Sequence, residues 1–259
     1  MLKAAYRWRE LIRQPTCTLT SKMVGGIPHM EMTIEDGWHS VHGLMNLAVK
    51  YDRLVDMHCD EIDDPATRNL EVVAADALKL GIGAQTTASH TTTMGSYNGA
   101  YAAKLIGLLQ RSQVNIVANP FVNVHLGGRF DSYPKRRGLT RIGELTQARV
   151  NVSFGEDDIQ DFMNPLGTGN LLDTVMMAAY LEHLMGSTAE AYRYITYNGA
   201  QTLNISDQYG IEVGKPANCI LLAAPDFYHA LNEQAAVRYN IRRGKVIAQT
   251  KPAETTIQL

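Results

Sequence analysis

Long apolar runs are missing from this 259-residue chain: no stretch approaches the roughly 18–20 residues that a membrane-spanning helix needs. The opening MLKAAYRWRELIRQ is basic and helical in pattern, without the apolar centre of a secretory signal. Cysteine is scarce. Cys17, Cys59 and Cys219 are odd in number and far apart, which excludes a zinc ribbon or a disulfide framework and suits a reducing compartment. No Gly-rich phosphate loop, Ser-His-Asp arrangement or Cys-His pair in a recognisable context occurs. Net charge is −2, so nothing pulls the chain as a whole towards nucleic acid or acidic membranes. The densest basic cluster, Lys135-Arg136-Arg137, reads as a solvated loop or a local ion-pair donor. These absences leave a cytoplasmic protein with a small-molecule partner, and no nucleic-acid or membrane partner, as the expectation.

What is present fits a folded catalyst. Hydrophobic residues make up 45% of the chain and charged residues 19%, enough for a sizeable core. Strand-like runs occur at 24–28, 54–58, 84–90, 115–119 and 150–155. Their ends at His29, His58, His90, Asn119 and Asp157 are separated by 29, 32, 29 and 38 residues. A strand, a helix and two loops take about 30 residues or more. Helical patterns fill the gaps at 38–51, 65–80, 97–112, 140–148 and 169–185, and Pro65 suits the first turn of its helix. The pattern predicts an α/β fold, a partial (β/α)8 barrel of about five β-α units. After residue 185 a helix at 189–203 and strands at 218–222, 237–242 and 245–249 predict a small C-terminal β appendage. The expected divisions are 1–22, 23–205 and 206–259. Five parallel strands leave two edges unpaired, which favours a homo-oligomer.

In such a barrel, reactive side chains sit at the C-terminal ends of strands. The run Leu54-Val55-Asp56-Met57-His58-Cys59-Asp60-Glu61 ends in an imidazole and a carboxylate. His58 suits a divalent ion and Glu61 proton transfer; otherwise His58 is a buried histidine on a backbone carbonyl and Glu61 is solvated. His90 offers a second ligand, a group orienting a water, or a structural histidine. Asp157 and Asp158 offer a ligand and a contact to a substrate amine, or a helix N-cap. His29 competes between ligand and turn, while His125, near Asn119 and Asn123, competes between lining the pocket and a loop histidine. His39 and His42, three apart on a helix, compete between chelating a surface ion and simply facing solvent, and the eleven methionines read as core filler.

Several longer segments carry a resemblance: VGGIPH (24–29), YDRLVDMHCDEIDD (51–64), TASHTTT (87–93), SYNGAY (96–101), RFDSYPKRRG (129–138), FGEDD (154–158), PLGTG (165–169) and GKVIAQ (244–249). The chain resembles the cytosine deaminases of the amidohydrolase superfamily from residue 24 to near its C-terminus. The resemblance implies a metal-dependent barrel, with one Fe2+ or Zn2+, that hydrolyses the exocyclic amine of a pyrimidine. His58 would then be a metal ligand, Glu61 the proton shuttle to the ring nitrogen, and His90 the holder of the attacking water. Asp157 would bind metal and take the water's proton, with Asp158 near the amine. Two positions depart from the family pattern: Glu156 stands where histidine is common, and Met163 where a pocket tryptophan is common. Met163 opens the alternative of another amino-substituted ring, such as an aminotriazine. The family's first-strand His-x-His pair has no counterpart here, and residues before about 22 do not match, so an N-terminally truncated chain is expected. A non-catalytic remnant serving as an interaction module is the competing reading.

Overall fold

A computed structural model describes residues 21–251 and 256. Five short strands form one parallel sheet: β1 (Met23–Gly26), β2 (Leu54–Cys59), β3 (Thr86–His90), β4 (Asn115–Ala118) and β5 (Val152–Phe154). Their spatial order is their chain order, β1-β2-β3-β4-β5. Sequential parallel neighbours joined by helices are the wall of a (β/α) barrel, not of a doubly wound sheet, whose strand order reverses. Among the described residues the wall is open, with β1 and β5 at its edges. The partial barrel expected from the sequence is the observed architecture.

The helices are α1 (Ile34–Tyr51), α2 (Asn69–Leu80), α3 (Gly99–Ser112), α4 (Pro120–Leu126), α5 (Ile142–Gln147), α6 (Leu171–Leu181) and α7 (Tyr197–Thr202). Local chemistry fixes their starts. Thr33 accepts the Asp36 amide at 3.1 Å to cap α1, and Asn98 accepts the Tyr101 amide at 2.9 Å to cap α3. Val41, Met45, Leu70 and Val73 on α1 and α2 pack with Val55, Met57 and Cys59 of β2 in one buried cluster. Strand alternation then turns Asp56 and His58 to the opposite, barrel-lining face.

That inner face is polar. Register pairs Asp56 with Thr87, His58 with Ser89, and Thr87 with Asn115. Ser89 donates to Asp56 at 2.6 Å, and the Asn151 amide nitrogen donates to Asn115 at 2.8 Å. From α7, Asn198 donates to the Val152 carbonyl at 2.7 Å, so that helix is tied to β5.

Several boundaries differ from expectation. The second helix begins at Asn69, not 65: Asp64 accepts the Ala66 amide in a turn that uses Pro65, and the Asp60 carboxylate caps the helix four residues later. The segment 189–203 is not one helix. A 3-10 stretch at Leu184–Ile195 gives way to α7 at Thr196, whose φ of −128° and ψ of −95° break the helical path. Strand β3 starts at Thr86 because Gly83–Gln85 form a 3-10 turn. Helix α4 falls where only a loop was expected.

Beyond α7, strands β6 (Cys219–Leu222), β7 (Val237–Arg242) and β8 (Lys245–Gln249) form an antiparallel sheet, with helix α8 (Phe227–Asn232) between the first two. Arg243 and Gly244, both at positive φ, make the β7–β8 turn. Residues 1–20 of the expected N-terminal segment, Cys17 among them, lie outside the described residues.

Candidate active site

Three strand ends converge at one mouth of the sheet. His58 follows the inner face of β2, but His90 does not follow the alternation of β3. It is in register with Cys59, a residue that faces the helices. A left-handed backbone at His90 (φ +70°), continued at Thr91 (φ +48°), carries its side chain instead to the mouth. Asp157 beyond β5 is left-handed as well, at φ +71°. Such conformations are uncommon for non-glycine residues and concentrate where surrounding structure over-determines them.

The resulting cluster is dense. His90, fully buried, has Nε2 2.9 Å from His58 Nδ1 and 3.8 Å from Asp157 Oδ2. Its Nδ1 is 3.1 Å from Glu61 Oε1 and 2.8 Å from Asn123 Nδ2. Asn123 Nδ2 also donates to Glu61 Oε1 at 3.2 Å, and Asn119 Nδ2 is 3.2 Å from His90 Nδ1. His29 Nδ1 donates to the His58 carbonyl at 3.1 Å, which puts His29 behind the cluster, not in it.

Electrostatics follow from this crowding. Burial works to raise Glu61, but contact with His90 and the nearby His29 and His58 outweigh it and hold the carboxyl below its usual range. Asp157 goes the other way, raised by burial. Asp158 is pushed up to about 6 by burial and by the adjacent charges of Asp157 and Asp161. Burial lowers His29 to about 4.

Supporting contacts hold the loops that carry these groups. Asp60 beneath Glu61 is 1% exposed and caps α2, while its carbonyl accepts the Thr93 amide at 3.1 Å. Arg136 donates to Asp131 at 2.7 Å and to the Asp63 carbonyl at 2.9 Å, stitching the 127–138 segment to the Glu61 loop. The basic cluster is thus a local ion-pair donor, and its guanidinium holds Asp131 at about 2. A cavity of about 280 Å³ opens beside Glu61, Thr92 and Asn123.

One ligand atom each from His58, His90 and Asp157 lies within 4.8 Å of the others. Two imidazoles and a carboxylate are a donor set that suits a divalent metal such as zinc or ferrous iron.

A model of the amidohydrolase family matches residues 3–248. The chain belongs to that family. Solved relatives agree: the 5-methylcytosine deaminase of Klebsiella pneumoniae, in its structure with 5-fluorocytosine, superposes at TM-score 0.90 with 47% identity. That match covers 92% of this chain and 58% of the deaminase. A pterin deaminase from Rhizobium rhizogenes is 28% identical over 231 residues, 89% of this chain and 52% of that protein. An N-isopropylammelide isopropyl amidohydrolase from a Pseudomonas species is 25% identical over 78% of this chain and 48% of its own length. The chain therefore spans about half the length of the curated relatives it matches.

Within this amidohydrolase, the structure brings His58, Glu61, His90 and Asp157 together. Asp158 follows on the same loop. Met163 lies five residues beyond it, half-buried, its amide donating to Asp161 at 2.9 Å. Glu156 is 6% exposed, and its Oε2 has no hydrogen-bond partner. His39, His42 and His125 stand outside the cluster, His42 paired with Asp76. Sequence reasoning missed the roles of Asn119, Asn123 and Asp60. Asn119 was visible as a strand end and Asn123 only as a neighbour of His125, and their spacing of four, one helical turn, was the available signal.

Proposed function

We propose that this amidohydrolase is a metal-dependent hydrolytic deaminase that acts on the exocyclic amine of cytosine or a related ring. The observation that carries the reading is the 47% identity over 92% of the chain with a 5-methylcytosine deaminase, joined to a His58–Glu61–His90–Asp157 cluster at the strand ends. His58 and Asp157 would hold one Fe2+ or Zn2+, with His90 in the same ligand group. When bound, the ion supplies Lewis-acid activation that lowers the pKa of a water towards about 7.

The chain's own residues supply the rest. Asp157 Oδ2 takes a proton from the attacking water while His90 holds that water in place. Glu61, kept anionic by the imidazoles around it, takes the water's second proton and passes it to the ring nitrogen, and Asp157 gives its proton to the departing amine. A C–O bond forms, the C–N bond breaks, and ammonia leaves. Asp158 faces the amine, and Met163 widens the pocket where the family commonly has tryptophan.

The decisive assay is ammonia release from cytosine and 5-methylcytosine with iron or zinc supplied. Turnover that disappears in Asp157→Asn supports the reading; no turnover with either metal would overturn it for this chain. The pterin deaminase similarity motivates a second reading, a larger amino-substituted ring. Pterin and an aminotriazine in the same panel, each with Met163→Trp, separate the two. A non-catalytic role predicts no turnover on any ring and unaltered assembly in His58→Ala. The two open sheet edges and net charge of −2 support a cytoplasmic homo-oligomer without a nucleic-acid partner, which light scattering and fractionation test.

A further inference from the structure

We infer that the cavity beside Glu61 is a second compartment of the active site, which takes an apolar substituent or fused ring of the substrate. It holds about 280 Å³, and its lining includes Glu61, Asn123, Ile62, Leu126 and Phe130. His58, His90 and Asp157 do not line it, so Glu61 is the member of the cluster that faces both compartments. The other polar residues of the lining are already engaged. Asp63 Oδ2 accepts the Gly128 amide at 2.8 Å, and Asp64 Oδ1 accepts the Ala66 amide at 2.9 Å. Arg129 donates to the His125 carbonyl at 3.2 Å, and Thr92 donates to the Asp60 carbonyl at 3.3 Å. The Asn123 amide nitrogen is taken up by Glu61 and His90. What remains without such ties is the apolar surface of Ile62, Leu126 and Phe130. An apolar wall with one polar group at its edge is the usual make-up of a small-molecule pocket.

Chain geometry puts two of these walls in place. Leu126 lies three residues beyond Asn123 on α4, on the helix face that carries Asn123 to Glu61. Phe130 is fully exposed on a segment pinned from both sides, Gly128 by Asp63 and Asp131 by Arg136. Apolar surface left in water at the mouth of a site marks where a ligand sits. Room is sufficient: a cavity of about 150 Å³ lined by Leu, Ile and Phe admits benzene. The choice of ligand rests on the deaminase reading above, in which Glu61 serves the ring nitrogen next to the carbon bearing the amine. The ring edge beyond that nitrogen then points over Leu126 and Phe130. Cytosine carries only a carbonyl oxygen at that edge, whereas an alkyl or aryl group there fills the compartment.

The test is titration calorimetry on the full chain supplied with zinc. The probes are pyrimidin-4-amines carrying hydrogen, methyl, isopropyl or phenyl at C2, the carbon beyond that nitrogen. Affinity should climb along the series, by about fourfold for each methylene-sized group buried and about tenfold or more from hydrogen to phenyl. Phe130→Ala, at a fully exposed position that folding does not need, should cut the phenyl-to-hydrogen ratio, and so should Leu126→Trp, which fills the cavity. A flat series, a fall at phenyl, no binding of any member, or a ratio that Phe130→Ala and a folded Leu126→Trp both leave unchanged overturns the inference. The full gradient without ammonia release from any ring keeps the compartment and removes the deaminase reading. Ammonia from cytosine with a flat series does the reverse.

Discussion

Asp60 grips Asn69 twice: its carboxylate Oδ1 accepts the Asn69 backbone amide at 3.2 Å and the side-chain amide at 2.9 Å. Oδ2 takes the Leu70 amide at 2.9 Å. Burial raises the pKa of this carboxyl, and those hydrogen bonds oppose the rise. A negative group at the start of α2 also meets the positive end of the helix dipole. The residue that follows the strand therefore anchors the helix that follows it, and Glu61 is held between them.

Asp60→Ala should lower unfolding free energy by about 2–4 kcal/mol, because it strands buried donors and removes a cap together. Urea denaturation checks this. A loss under about 0.5 kcal/mol, the range of an ordinary surface change, would show that the cap carries no weight.

That anchor also shows where sequence reading stops. The strand runs ending at His58, His90 and Asp157 were legible because β-branched and small residues break off into polar ones at a regular interval. That the three strand ends would meet at one mouth followed from the barrel. Nothing local announces that His90 must leave its strand's alternation through a left-handed turn, since the partners that meet its side chain there, Asn119 and Asn123, come from a distant part of the chain. Asp60 was hidden for the same reason: it caps a helix nine residues on, across a turn, whereas sequence patterns reveal caps adjacent to their helix. Helix α4 is seven residues long and starts with a proline, too short for a periodic pattern to register. The helix expected at 189–203 failed at Thr196, a backbone break that composition does not encode.

The two described cysteines should differ sharply in reactivity. Cys59 is fully buried in the β2 core, and burial raises its thiol well above the usual value, so thiolate is scarce and reagent has no access. Cys219 on β6 is only half-buried. Native-state alkylation read peptide by peptide should modify Cys219 and spare Cys59 until denaturant is added. Equal labelling of both in the native protein would contradict the packing of β2.

His29 predicts an acid-sensitive fold. Burial lowers it to about 4, against about 6.5 for the unfolded chain, so between these values the unfolded state binds a proton that the native state refuses. Stability gained from this site is complete above about 6.5 and is lost as pH falls towards 4. The loss is on the order of 2–3 kcal/mol, from about 1.4 kcal/mol per pKa unit. Comparing denaturation at pH 7 and pH 4.5, the drop should be smaller in His29→Gln than in the wild type. An equal drop would place the acid sensitivity elsewhere.

Metal binding should register as stability before it registers as turnover. A ligand that binds only the folded chain adds RT ln(1 + [L]/Kd), about 2.7 kcal/mol at a hundred times Kd. Zinc should therefore raise the melting temperature of the wild-type chain, and a chelator should reverse it. His58→Ala and Asp157→Asn each remove one member of a group whose ligand atoms lie within 4.8 Å, and each should abolish most of that shift. His42→Ala, on the outer face of α1, should leave it unchanged, which controls for zinc held by surface histidines. A zinc-induced shift that survives Asp157→Asn in full would move the metal away from the strand ends, and with it the proposed chemistry.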